Sequence, residues 1–310
     1  MKNKRDAARA RDKAPRAAGE GGEKPRADGL RTTKPHAEKS RGGKKQKPLY
    51  SREHMLYLKK RKRETALVQA LRVGVLLLIL GVWELVAQLR IVDPFIISSP
   101  SRICTTIADL AANGTLLYHI WTTLWETLAG FAIAVVLGTL IALLLWWSER
   151  ALRVLEPYIV VLNSLPKIAL GPVIIVWFGT GSTAILFMTV LVGIIVAILN
   201  MLGGFAATDP GKILLLRSMG ASKFQILRKL VIPSSVPAFI GMLKICVGMA
   251  WIGSIMGEYI SSNAGLGYLI VYGGQVFRLD LVMAATVILC VLAAGMYALV
   301  ALAEKALVKK

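Results

Sequence analysis

The chain has 310 residues, of which 55% are hydrophobic, and its formal net charge is +20. A mean hydropathy of +0.59 excludes an ordinary soluble domain, because the apolar residues are also clustered along the chain. Three cysteines and three histidines, none at a metal-binding or redox spacing, exclude a disulfide framework and argue against a metal site. The composition indicates an integral membrane protein.

The first 64 residues hold most of the positive charge, with 22 Lys and Arg against 8 Asp and Glu. This segment has few apolar clusters and cannot offset the entropy of ordering, so we expect a disordered basic tail over residues 1–64. Its last part, Leu58–Glu64 (LKKRKRE), is expected to fix the topology of the first span. Binding of anionic lipid or nucleic acid is the alternative role for such a tail. We prefer a solvated cytoplasmic tail and expect no nucleic-acid partner.

Long uncharged runs follow the tail, and a helix needs roughly 20 apolar residues to cross the hydrocarbon core. No charge occurs in residues 127–148, 168–208 or 281–303, and the second run is long enough for two crossings. The sequence therefore predicts an all-α integral membrane protein whose transmembrane domain, residues 65–310, has six transmembrane helices. The expected ranges are about 68–89, 119–147, 156–178 (broken by Pro166 and Pro172), 183–205, 235–259 and 281–303.

Lysine and arginine are concentrated in the tail, in the links between spans two and three and between spans four and five, and at the C-terminus. Cytoplasmic loops carry the excess of positive charge in membrane proteins, so both termini are expected in the cytoplasm. The link between spans four and five then lies on the same side.

That link, at about residues 209–232, has helix signals of its own. Asp209-Pro210 is typical of a helix start, and Gly220 suits a left-handed C-terminal cap. Ser222 and Gln225 form a capping-box pattern for a second helix, whose apolar stripe comprises Phe224, Leu227, Leu230 and Val231. The pattern predicts a cytoplasmic helical hairpin that either lies on anionic headgroups or docks into a cytosolic partner.

The residues that follow carry a resemblance. Met219–Ile260 reads MGASKFQILRKLVIPSSVPAFIGMLKICVGMAWIGSIMGEYI and resembles the signature region of permease subunits of binding-protein-dependent ABC importers. The match continues through Asn263–Ile270 (NAGLGYLI), while Ser164–Gly181 (SLPKIALGPVIIVWFGTG) resembles the third-span region of the nitrate, sulfonate and taurine subgroup. One departure is that Leu214–Leu216 stands where the family has Glu-Ala-Ala.

The resemblance implies that the hairpin is a coupling helix seated in a groove of an ABC-type ATPase subunit. The coupling residues would be Arg217, Met219, Gly220, Ala221, Ser222, Lys223 and Phe224. Arg217 or Lys223 would then make the polar contact that the missing acidic residue makes in the family. The implied assembly is a permease homodimer in the bacterial inner membrane, with an ATPase dimer and an extracytoplasmic solute-binding protein. The chain has no GxxxxGK[ST] phosphate loop, so it is expected to be no enzyme and to hold no cofactor, with ATP-Mg bound by the ATPase.

Polar groups inside a membrane are costly and mark pathways or interfaces. Asn163, Ser164 and Pro166 are candidates for the translocation path, because a proline there frees backbone carbonyls beside polar side chains. Trp251 either lines the path or packs between helices, with packing preferred. Glu258 either caps a gate or holds the loop of residues 265–267, with structural anchoring preferred.

Two other functions compete with the importer permease. A gradient-driven secondary transporter or channel would show internal repeats and intramembrane acidic residues for coupling, and a non-transport scaffold would depend on the basic tail. The subgroup resemblance implies nitrate, a sulfonate, taurine or a related small organic compound as the solute.

Overall fold

The computed structural model describes residues 52–89 and 98–307. Within these residues every regular element is a helix, and the α-helices are α1 (Arg52–Gln88), α2 (Pro100–Ala112), α3 (Thr115–Trp147), α4 (Glu149–Ser164), α5 (Gly171–Phe178), α6 (Ser182–Ala206), α7 (Pro210–Ser218), α8 (Lys223–Ile226), α9 (Ile232–Ser261), α10 (Leu266–Gln275) and α11 (Leu279–Leu307). A 3₁₀ turn (Lys167–Leu170) precedes α5, and a π-helical turn (Leu227–Val231) joins α8 to α9. The all-α architecture predicted from the sequence is confirmed.

The basic tail lies mostly outside the described residues, which begin at Arg52. Residues 52–64, which the sequence analysis assigns to the tail, form the first turns of α1. They contain no glycine or proline and several strong helix formers, so the helix of the first span extends back through them.

The predicted spans are present. Five helices are long and apolar enough to cross a membrane, at Arg63–Gln88, Thr115–Trp147, Ser182–Ala206, Lys223–Ser261 and Leu279–Ala306. The remaining predicted span is a bent pair, Glu149–Ser164 with Lys167–Phe178, whose two legs meet at 85° and are long and apolar enough to cross a membrane only when taken together.

Proline causes the bend in the third span. Leu165 is extended, with φ −65° and ψ 137°, because the ring of a following proline disfavours the helical conformation of the preceding residue. Pro172 lies in the first turn of α5, where a missing N–H is tolerated. Pro166 therefore ends one leg of the span, and Pro172 helps to begin the other.

The fifth span differs from its predicted form. The expected range began at about residue 235, but the helix is continuous from Lys223 to Ser261 and includes Pro233 and Pro237. The π-helical turn immediately precedes Pro233, and Pro237 lies inside α9. A π turn already displaces the regular hydrogen-bond ladder, so the missing proline N–H interrupts less of it.

The centre of the fold is a close packing of α3, α6 and α9. Gly130 of α3 and Gly253 of α9 both abut Thr189 of α6, and a Cβ on Gly253 would lie 2.6 Å from the Thr189 Cα. The buried hydroxyls of Thr127 and Ser254 are 2.7 Å apart and form a hydrogen bond between α3 and α9. Small residues thus let three helix backbones approach closely, as helix association in lipid requires.

This packing makes Gly253 sensitive to a single methyl group. Gly253→Ala would force the α9 backbone away from Thr189, and we expect the free energy of unfolding in mixed micelles to fall by about 1–3 kcal/mol. Gly248→Ala is the matched control in the same helix, because a Cβ there meets no atom within 4 Å. Titration of both purified variants with dodecyl sulfate measures the difference, and equal midpoints would contradict the packing.

Candidate coupling hairpin and translocation-path residues

The link between α6 and α9 is a capped helical hairpin, as predicted. Asp209 Oδ1 accepts a hydrogen bond of 2.8 Å from the Gly211 N–H at the start of α7. Gly220 has φ +80°, the left-handed conformation that glycine adopts without steric cost. The Ser222 N–H donates to Gln225 Oε1 at 2.8 Å, and the Gln225 N–H donates to Ser222 Oγ at 3.3 Å. The predicted caps and the capping box are confirmed.

The hairpin is held to the end of α3 by Lys223. Its Nζ donates a 2.6 Å hydrogen bond to the carbonyl oxygen of Trp147, the last residue of α3. The same ammonium lies 5.6 Å from the ring centroid of Trp146 and 5.7 Å from that of Trp147. A cation is favoured at the C-terminal end of a helix and over an indole face. Lys223 therefore makes a contact within the chain, although both basic candidates for a partner contact, Arg217 and Lys223, are exposed.

The turn of the hairpin presents apolar side chains outward. Met219 is 74% exposed and Phe224 is 58% exposed, beside exposed Leu214 and Leu215. The predicted apolar stripe contained Phe224, Leu227, Leu230 and Val231, and of these Leu227 and Val231 form the buried face of this segment together with Ile226. Phe224 lies in the first turn of α8, next to the exposed glycine turn and beyond the edge of that core.

A second constellation lies at the opposite end of α3. Three consecutive backbone N–H groups at the start of α10 each donate to a side chain: Gly265 to His119 Nδ1 at 3.1 Å, Leu266 to Thr123 Oγ1 at 2.7 Å, and Gly267 to Glu258 Oε2 at 2.6 Å. We call His119, Thr123 and Glu258 the loop clamp. The clamp satisfies donors that the first turn of a helix leaves without intrahelical partners.

Glycine is required at the clamped loop. Gly265 has φ +108°, and a Cβ there would collide with the Glu258 carboxyl group. A Cβ at Gly267 would lie 2.8 Å from Glu258 Oε2. The backbone thus surrounds the carboxyl group, and Glu258 is only 1% exposed.

The sequence analysis identified Glu258 but missed its two companions. His119 and Thr123 are four residues apart on α3 and so share one face, and Glu126 lies one further turn along. The signal that could have revealed this site was the recurrence of polar residues three or four positions apart within an otherwise apolar span. Glu126 is 1% exposed, and neither of its carboxyl oxygens has a hydrogen-bond partner among the described residues.

The predicted path residues are not gathered in one site. Asn163, Ser164 and Pro166 lie at the bend of the third span and are exposed. Trp251 is 5% exposed and belongs to a core cluster with Val247, Leu266 and Leu269 of α9 and α10. Trp251 thus packs between helices, whereas the residues at the bend face away from the core.

Two intramembrane lysines have defined partners. Lys244 of α9 forms a 2.6 Å ion pair with Glu304 near the end of α11, which the sequence analysis did not foresee. Lys167, at the bend of the third span, donates from Nζ to the Asn163 carbonyl oxygen at 3.0 Å. No cluster of three or more metal-ligating side chains occurs within the described ranges.

A helical membrane domain with a rigid hairpin between two spans defines the class of transport permeases that couple to a partner outside the bilayer. The model of the binding-protein-dependent transport system inner membrane component family matches residues 134–309, more than half of the chain. The chain belongs to this family, and it is a multi-pass inner-membrane permease component of an ABC importer.

Individual relatives agree with this placement. The formylaminopyrimidine transport permease protein ThiX of Halalkalibacterium halodurans is 34% identical over 192 residues, covering 62% of this chain and 76% of that protein. The taurine transport system permease protein TauC of Escherichia coli is 25% identical over 228 residues, covering 72% and 83%. A chain of the MetNI methionine ABC transporter in an inward-facing conformation matches with a TM-score of 0.56 at 20% identity, over 63% of this chain and 97% of that chain. This last match shows the fold alone.

The loop clamp predicts a specific loss. Thr123→Val keeps the side-chain shape but removes the acceptor of the Leu266 N–H, which would then be buried without a partner. We expect the free energy of unfolding to fall by about 1–3 kcal/mol. Thr122→Val is the control, because the Thr122 hydroxyl bonds only to the Tyr118 carbonyl of its own helix. Dodecyl sulfate titration compares the two variants, and an equal loss in both would argue against the clamp.

Proposed function

We propose that two copies of this chain form the translocation path of an importer driven by a dimer of ABC-type ATPase subunits. An extracytoplasmic solute-binding protein delivers the solute to the pair. The observation that carries this proposal is the capped hairpin with its exposed apolar turn, fastened to α3 and continuous with α9. The chain itself hydrolyses no ATP and holds no cofactor, because ATP-Mg is bound by the ATPase.

Motion would pass from the ATPase into the membrane through two connections. ATP binding closes the ATPase dimer, and a capped helical hairpin follows it as a rigid body, where a flexible loop would absorb the displacement. The bond from Lys223 to the Trp147 carbonyl leads into α3, and the continuous helix leads into α9. The permease pair then shifts between inward-facing and outward-facing populations.

We place both termini and the hairpin in the cytoplasm. Arg150 and Arg153 lie in the first turns of α4, directly after the end of α3 to which Lys223 of the hairpin is bonded, so we assign them to the same side of the membrane as the basic hairpin residues. The loop clamp lies at the other end of α3 and is therefore extracytoplasmic. Positive charge on the hairpin side is the physical support for this orientation.

The solute is a small compound of the kind that the relatives transport, with sulfonates such as taurine preferred over nitrate or an uncharged pyrimidine. Three relatives named for aliphatic sulfonates or taurine cover 69–74% of the chain at 25–29% identity. The polar bend of the third span supplies groups that a small polar solute would contact.

The function is tested through the glycine turn. Gly220 needs a left-handed backbone, yet a Cβ there meets no atom within 4 Å, so substitutions act through strain alone. Asn tolerates this conformation far better than a β-branched residue does. We expect the ATPase subunit to co-purify in mild detergent with the wild type and with Gly220→Asn, and to be lost from Gly220→Val. Wild-type protein that moves solute without any ATPase would overturn the proposal in favour of a gradient-driven transporter.

The contact of Lys223 predicts a coupling defect. Lys223→Met removes the hydrogen bond and the cation–π contacts but leaves the exposed turn in place. The ATPase should still assemble, while ATP-dependent uptake per assembled complex should fall about tenfold, as expected for loss of one charge-assisted hydrogen bond. Lys229→Met is the control, because this substitution removes the same positive charge from an exposed position in the neighbouring turn. Unchanged uptake by Lys223→Met in proteoliposomes would show that the contact does not transmit motion.

A further inference from the structure

Lys167 occupies an unusual position at the bend of the third span. It begins the 3₁₀ turn that leads into α5, and its Nζ donates to the Asn163 carbonyl oxygen at 3.0 Å. Asn163 and Ser164, at the end of α4, are exposed beside it. A cation therefore lies beside two neutral polar residues in sequence, bonded to the backbone carbonyl of one of them, while the Ser164 hydroxyl donates to the Val160 carbonyl oxygen at 3.1 Å.

The bend interrupts a segment that, taken as one broken span, is long and apolar enough to cross a membrane. The leg Lys167–Phe178 runs back along the first turns of α6, with Ile174 packed against Ala184 and Gly171 close to Met188. Met188 is six residues from the start of α6, which is about 9 Å along a helix. Lys167 lies at the far end of this leg from Phe178, four residues before Gly171.

The charge of Lys167 is not neutralised by the chain itself. Among the described residues no carboxylate forms an ion pair with Lys167, and its hydrogen-bond acceptor is a neutral carbonyl. An ammonium group has three N–H donors, so this bond leaves two. A cation within the hydrocarbon region is costly unless it faces a polar cavity or an opposite charge.

The surroundings indicate which side the ammonium faces. No residue of α4 is buried, so this helix presents its surface away from the core formed by α3, α6 and α9. Under the proposed function this open face borders the translocation path between two copies of the chain, and Asn163, Ser164 and Lys167 would be available to the solute there.

We propose that Lys167, with Asn163 and Ser164, forms a contact for the anionic group of the solute, a sulfonate or a carboxylate, during its passage. The contact rests on the proposed importer function and specifies the charge of the solute. The contact is made by charge: the positive charge of Lys167, which no carboxylate of the described residues pairs with, attracts such a group where the backbone of the span is interrupted.

The competing explanation is that Lys167 only holds the end of α4 through the Asn163 carbonyl. A charge-restoring label separates the two explanations. Lys167→Cys is prepared in the assembled importer, with its ATPase and binding protein, in proteoliposomes. It is treated with a trimethylammonium-ethyl or a sulfonato-ethyl methanethiosulfonate. The trimethylammonium label carries a positive charge but no N–H, so it cannot donate to the Asn163 carbonyl.

We expect ATP-dependent uptake of radiolabelled taurine by Lys167→Cys to fall about tenfold, as for the loss of one close pair of opposite charges. The trimethylammonium label should restore most of this uptake, and the sulfonato label should not. Lys305→Cys, an exposed lysine in the last turn of α11, controls for loss of one positive charge. Labelled wild type controls for the three native cysteines.

Three outcomes would overturn the contact. Unchanged taurine uptake by Lys167→Cys, or rescue by Lys167→Arg but not by the trimethylammonium label, would reduce Lys167 to a helix-end contact. A wild type that imports an uncharged pyrimidine and no sulfonate would refute the anion contact and leave the importer function standing. Failure of the importer itself would look different, with no ATP-dependent uptake of either solute and no ATPase co-purifying, and the contact would fall with it.

Discussion

The structure depends on how closely α3, α6 and α9 approach one another. In a bilayer the lipid tails are as apolar as the helices, so hydrophobic burial does not drive helices together and close van der Waals contact must do so. Gly130, Thr189 and Gly253 provide the close contact, and the Thr127–Ser254 hydrogen bond crosses it. The leg Lys167–Phe178, the hairpin and α10 all contact one or more of α3, α6 and α9.

Helix α3 joins the two functional ends of the molecule. Its last carbonyl receives the bond from Lys223 of the hairpin, and its first turns supply His119 and Thr123 to the loop clamp. The 29 residues from His119 to Trp147 span about 42 Å, which exceeds the hydrocarbon thickness. If the hairpin moved α3 along its axis, the same movement would displace His119 and Thr123 and therefore the loop that they bind.

The two irregular spans show how a membrane protein accommodates proline. Backbone groups that lose their helical partners must find others within the protein or line a polar space. At Pro166 the chain bends, Lys167 binds a freed carbonyl, and polar side chains are exposed. At Pro233 the chain stays helical because a π turn absorbs the change, and Val231 in that turn is fully buried. The bend at Pro166 is exposed and lies beside the candidate path residues. The π turn before Pro233 joins the hairpin to α9.

The sequence by itself determined the spans, the hairpin and its caps. These follow from local physics: apolar runs match the bilayer thickness, and Asp209, Gly220, Ser222 and Gln225 act on backbone groups within a few residues of themselves. Only the tertiary structure decided what the isolated polar side chains do. Lys223 with Trp147, Thr123 with Leu266 and Lys244 with Glu304 are separated by 76, 143 and 60 residues. Sequence periodicity cannot predict contacts between residues so far apart, because these contacts depend on which helices pack together and on how the helices are aligned along their axes.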